Sequence, residues 1–365
     1  ENPTTQVVDD CVGVARESAV DFLVGLGGGS SLDTAKGCNF LLTNGGRMED
    51  YWGVGKATQP MLPLIAVPTT AGTGSECQSF ALISQAATHV KMACGDPQAA
   101  AKVALLDPEL TLTQPPGVAA ATGMDALSHA VETAVTKKRT PLSQMLSREA
   151  FRRCAQGLPQ VLADPTNMTA RGNVLLGAAL AGLAIENSML GAAHAAANPL
   201  TARWGVIHGH AVGLTLPAVV RFNAQDPALS RLYGELALHA GLVADLRDAG
   251  EAAGALVEFL LSFRAAARLP RSLADAGVRQ ADVEQLAREA GIVRSTLGLC
   301  ERGENISLLV FIRLLRALKL LYLLQEFQIK REISPLLLAD LEQSKRKRAA
   351  RKGRNKKAST RKSDW

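Results

Sequence analysis

An α/β domain followed by an all-helical one, then a short helical C-terminal region and a disordered basic tail, is the fold class predicted by this sequence of 365 residues. Three observations carry it. Short apolar runs alternate with helical patterns up to about residue 110. From about residue 113 such runs vanish, and long Ala- and Leu-rich helical patterns continue to about residue 290, broken by PPG, DPTN and NP turns. Residues 345–362 hold eleven Lys or Arg and no acid, too charged and too poor in apolar residues to fold alone. The net charge of +6 is therefore a property of the tail, and the remainder is slightly acidic.

The N-terminal segment (1–110) takes its strands from four runs, FLVGLG (22–27), LIAVPT (64–69), FALIS (80–84) and VALLDP (103–108). GLGGGSSLDTAKG (25–37) follows the first run and leads into a helical pattern. Its glycines would let backbone N–H groups approach a phosphate at a helix N-terminus, although a plain connecting turn between strand and helix looks the same. PTTAGTGSE (68–76) is a second small-residue loop after a strand, rich in hydroxyls, and reads equally as a turn with a helix cap.

The helical segment (111–290) carries the most informative residues. In GMDALSHAVET no helix breaker follows Gly123, so Asp125 and His129, four apart, share a helical face and can share an ion. In GAAHAAANPLTARWGVIHGHAVG, Pro199, Gly205 and Gly209 are expected to break the run and let two helix ends converge, bringing His194 and His208 together. The chain has six histidines, and three of these four positions use them within two Ala- and Gly-rich segments. One carboxylate oxygen and three imidazole nitrogens suit Fe²⁺ or Zn²⁺ better than Mg²⁺ or Ca²⁺, which prefer oxygen shells. Lewis-acid or redox chemistry follows, in a cleft between this segment and the glycine loops.

Composition excludes other classes. With 47% hydrophobic residues the chain is globular, and no run of about 18 uncharged apolar residues free of Gly and Pro suggests a membrane span. The start has no basic region followed by an apolar stretch. Six scattered cysteines without C-x-x-C pairs suit packing in a reducing compartment, so a cytoplasmic protein with no membrane partner is expected.

Taken together, GGGSSLDTAK, VPTTAGTGSE, DPELTLTQPPGVAAATGMDALSHAVE and HGHAVGLTLPAVVRFN resemble the iron-containing (group III) alcohol dehydrogenases in order and spacing, from Glu1 to about Ala290. The resemblance implies a dinucleotide-binding α/β domain, a helical metal-binding domain, and Fe²⁺ (or Zn²⁺) held by Asp125, His129, His194 and His208. It further implies Gly28, Gly29, Ser30 and Asp33 at the pyrophosphate of NAD or NADP, Thr69 and Thr70 near the nicotinamide half, and Lys91 at the ribose or phosphate region. The implied reaction converts a small alcohol to an aldehyde or ketone. The ion lowers the pKa of the alcohol, and hydride passes to nicotinamide C4. A homo-oligomer is expected. The four-ligand set argues against the metal-free maleylacetate reductases that resemble this family. Four departures stand out: Asn198 where many members carry a histidine, Gln78 where a threonine is usual, no closing segment of the family's type, and an N-terminus that looks truncated, lacking the domain's first strands and the acidic residue that holds the adenine ribose.

From about Asp282 the sequence also resembles part of a lambda-repressor-like (Cro-type) helix-turn-helix domain, with Arg294, Ser295 and Thr296 as candidates for DNA contact. Further amphipathic helices capping the second domain are the plainer reading of residues 291–343. The tail (344–365) would attract nucleic-acid phosphates or simply aid solubility. A DNA-binding regulator with a catalytically inactive dehydrogenase-like scaffold is thus the alternative to an enzyme, with residues 291–365 as the DNA-binding part.

Overall fold

The computed structural model describes residues 2–88, 90–279 and 282–283. Its first helix, α1 (Thr5–Glu17), is capped by the Thr4 hydroxyl and buries Val8, Val12 and Ala15, spaced four and three apart, against α2 (Gly29–Asn44). Between them lies β1 (Leu23–Gly27). Then come β2 (Gly53–Val54), β3 (Leu64–Pro68), β4 (Phe80–Ser84), β5 (Lys91–Gly95) and β6 (Val103–Ala104). β1, β3 and β6 form one parallel sheet in that order, and β2, β5 and β4 a second one in which β4 and β5 run antiparallel. Val24, Leu26 and Val103 leave the parallel sheet with an apolar face that is half-exposed among the described residues.

Three of the four expected strand runs become β1, β3 and β4, whereas VALLDP contributes only two residues of β6. β5 and β2 lie outside those runs. KMACG has no β-branched or aromatic residue, and its strand conformation comes from register with β4, Lys91 to Ser84 through Gly95 to Phe80.

From Pro116 to residue 266 every regular element among the described residues is an α-helix: α3 (Pro116–Val135), α4 (Pro141–Ala163), α5 (Met168–Glu186), α6 (Ala192–Trp204), α7 (His208–Asn223), α8 (Pro227–Ala240) and α9 (Ala249–Ala266). Thr140, Asn167, Asp226 and Asp248 cap α4, α5, α8 and α9 with their side chains. Met124, Leu127, Phe151, Leu158, Leu216 and Leu260 form the centre of one apolar core. α5 is long and apolar enough to cross a membrane by length and composition, and 61% of its apolar window is buried in this core.

Pro199 does not break the chain as expected. It lies inside α6, and the break falls at Gly205, whose φ of +65° is a left-handed conformation that glycine adopts without cost. Gly209 likewise lies within α7, where its bare Cα lets the helix approach α3: a Cβ there would stand 2.0 Å from the Ala121 carbonyl oxygen. The strand-rich and helical halves meet at α5. A Cβ on Gly182 would lie 2.3 Å from the Gly74 carbonyl oxygen, and the Glu186 carboxylate accepts from the Ser79 hydroxyl at 2.6 Å and its amide at 3.0 Å.

Candidate metal centre

α3 presents Asp125, His129 and Glu132 at positions i, i+4 and i+7, one buried stripe of acid, base and acid. His194 stands in the first turn of α6 and His208 opens α7, so two helix starts meet that stripe. Asp125 Oδ1 lies 3.3 Å from His129 Nε2, 3.3 Å from His194 Nε2 and 3.7 Å from His208 Nε2. The His129 and His194 rings stack at 4.8 Å, and His208 tilts against His194 at 5.2 Å. Asp125, His129 and His194 are buried, while the His208 side chain keeps 29% of its surface. A tetrahedral ion with bonds of about 2.0–2.2 Å has ligand–ligand edges of roughly 3.3–3.6 Å; Asp125, His129 and His194 offer donor atoms all within 4.8 Å of one another, and His208 Nε2 stands 3.7 Å from Asp125 Oδ1 at the side of that group.

The protonation of the cluster suits a cation as well. Burial, with the neighbouring imidazoles, lowers His129 and His208 to about 4, so both offer lone pairs at neutral pH. Burial would raise Asp125, but the three imidazoles around it hold its carboxyl below the usual range. His194 differs. Burial would lower it, yet Glu132 and Asp125 on its two sides raise it to about 9. Its Nδ1 stands 2.5 Å from Glu132 Oε2, and the other Glu132 oxygen accepts the Ala193 N–H at 2.6 Å. Asp125 and Glu132, both held below the usual carboxylate range, give the cluster two anions that favour a cation. The residues present fit a divalent ion.

Beside the cluster, the two loops expected at a nucleotide lie together. Gly28 is the N-cap of α2 and has no side chain to cap it, so the positive end of that helix's dipole opens on this loop. A Cβ on Gly28 would stand 3.3 Å from Thr70, and one on Gly29 2.8 Å from Thr73, so the glycine loop lies against the loop that follows β3 with Thr69 and Thr70. Ser30 is exposed in the first turn of α2. Asp33, expected at the pyrophosphate, is buried. Its carboxylate turns inward, accepting from the Ser75 hydroxyl at 2.7 Å and the Leu82 amide at 3.2 Å, with the Lys36 ammonium 3.6 Å away. Lys91 begins β5, where burial lowers its pKa against the raising fields of Asp33 and Asp125.

The residues missed in the sequence are Glu132, whose signal was its i+7 spacing from Asp125, and the buried Lys36, which donates to the Ser75 carbonyl and hydroxyl and the Phe80 carbonyl. Glu76 was missed too. Both its oxygens are buried without a hydrogen-bond partner in the described residues. Arg294, Ser295 and Thr296 lie outside the described residues.

The sequence model of iron-containing alcohol dehydrogenase matches residues 1–108, and that of the Fe-containing alcohol dehydrogenase family, C-terminal, matches residues 119–298. The chain belongs to the iron-containing alcohol dehydrogenase family. The chain is 36% identical over 294 residues to the NAD-dependent methanol dehydrogenase of Bacillus methanolicus, covering 79% of this chain and 75% of that one. It is 35% identical over 289 residues to alcohol dehydrogenase 4 of Schizosaccharomyces pombe, covering 79% of this chain and 67% of the relative. A crystal structure of 1,3-propanediol oxidoreductase superposes with a TM-score of 0.76 at 32% identity, over 79% of this chain and 75% of the other. Family membership makes the chain a metal-dependent alcohol or aldehyde oxidoreductase in type. The C-terminal family match runs across Arg294, Ser295 and Thr296, and no comparison supports DNA binding.

Proposed function

We propose that this chain is an NAD(P)-linked dehydrogenase of small alcohols, holding Fe²⁺ or Zn²⁺ through Asp125, His129, His194 and His208. The observation that carries it is the convergence of three imidazole Nε2 atoms on one carboxylate oxygen at 3.3–3.7 Å. In this reading residues 1–110 hold the nucleotide and residues 111–290 the ion. A bound divalent ion supplies a Lewis acid that acidifies an alcohol and polarises a carbonyl.

The chain's own groups do the rest. Asp125 contributes the anionic oxygen and the three imidazoles neutral nitrogens, in a buried setting that strengthens every charge interaction. His208, the least buried of the four, marks the side from which substrate enters. The uncapped start of α2 with Gly28, Gly29 and Ser30 receives the pyrophosphate, Thr69 and Thr70 stand beside it, and Lys91 serves the ribose or phosphate region. Iron against zinc depends on supply as well as ligands, since the Irving–Williams order favours zinc at such a site.

The test is elemental analysis of anaerobically purified protein together with fluorescence titration of NADH and NADPH. About one iron or zinc per chain, lost in His194→Ala and in His208→Ala, with reduced cofactor binding retained, is the expected result. Metal content indifferent to both substitutions overturns the reading.

A further inference from the structure

We infer that Glu132 is the positioning residue of the centre: it fixes His194 as the Nδ1–H tautomer and so aims the Nε2 lone pair at the ion. The inference rests on the metal reading above. An ionised carboxylate only accepts hydrogen bonds, so the atom facing Glu132 Oε2 at 2.5 Å must carry a hydrogen, and His194 Nε2 is left facing Asp125 at 3.3 Å. Among the described residues neither His129 nor His208 has a carboxylate hydrogen-bonded at Nδ1. His194 is thus the imidazole whose tautomer is set from outside the cluster.

Glu132 does this while holding the start of α6 in place. The N-cap of α6 is Gly191, which has no side chain to offer, and Glu132 reaches across from α3 to accept the Ala193 N–H instead. A Cβ on Gly191 would lie 3.0 Å from the same carboxylate oxygen, so the glycine makes room for the cap. One carboxylate therefore ties the backbone that carries His194 and the ring itself to the helix that carries Asp125 and His129. Both oxygens are used, and each meets a donor.

That pairing makes Glu132→Gln a sharp probe of equal size. An amide has one acceptor, so either the Ala193 N–H or the His194 Nδ1–H loses its partner. With the amide oxygen on Ala193, the NH₂ group meets Nδ1 and drives the hydrogen to Nε2, which then faces the cation with a hydrogen instead of a lone pair. The experiment is Zn²⁺ affinity of the full, metal-stripped chain by chelator competition, wild type against Glu132→Gln. A loss of about 10–100-fold is expected.

Equal affinity in the two proteins overturns the role of Glu132 and leaves the metal site standing. No stoichiometric Zn²⁺ binding by the wild type overturns the metal reading and this inference with it. A cap without a tautomer role would also weaken a poorly folded variant, so ¹⁵N spectra of the zinc-loaded wild type decide independently, with His194 assigned against His194→Gln. A protonated Nδ1 and a ligated Nε2 on His194 support the inference; a ligated or bare Nδ1 overturns it.

Discussion

Asp125, His129, His194 and His208 were legible as a group because three scarce histidines and one acid fall in small-residue helical sequence, where bulk does not account for them. Glu132 was not, since a glutamate on a helix is ordinarily solvated and nothing local shows that α6 will dock on it. Side-chain direction hid the fate of Asp33 in the same way. Glu76 carries a prediction of its own. Burial raises its carboxyl from the usual 4.5 to about 7, so the folded chain holds a proton that the unfolded chain releases in that window. Its contribution is complete below pH 4.5 and is lost as pH rises through 7, on the order of 3 kcal/mol in all. Glu76→Gln keeps the volume without the titration. Melting curves of the two proteins from pH 4.5 to 8 should diverge, with the variant relatively more stable at the alkaline end, and parallel curves would count against a raised pKa at Glu76.

At the scale of the element, glycines decide how closely the ligand-bearing helices approach. Gly209→Ala puts a methyl 2.0 Å from the Ala121 carbonyl oxygen, so α7 must move off α3 and carry His208 with it. A stability loss of about 1–3 kcal/mol is expected, accompanied by weaker Zn²⁺ binding. Gly205→Ala meets no neighbour and strains only the left-handed turn after α6, at about 1–2 kcal/mol. Denaturant melts and chelator competition on both variants separate the cases: Gly205→Ala should lose stability with cation affinity kept. Apolar runs and turn residues revealed most elements here. They failed at β5, whose residues adopt a strand through pairing with β4, and at Pro199, which the rest of α6 accommodates.

For the whole molecule, the order of a strand-rich half and a helical half was readable from periodicity, while the contacts that join them were not. Gly74 against Gly182 and Ser79 on Glu186 are pairings across more than a hundred residues. Because the ion would bridge α3, α6 and α7, its binding should stabilise the native chain by mass action, about 2.7 kcal/mol at a hundred times the dissociation constant. Chelation should therefore lower the melting temperature of the wild type and leave that of Asp125→Asn unchanged. A wild type indifferent to chelator would remove the ion from the stability of the fold.

Asp125 and His194 are separated by 69 residues of chain, with His208 further on still. During synthesis the centre cannot close until α7 has been made, for an emerging α3 offers only two ligands. Loading of the proposed centre would thus wait for α7 and be governed by the cations present at that moment more than by those that met the first helices.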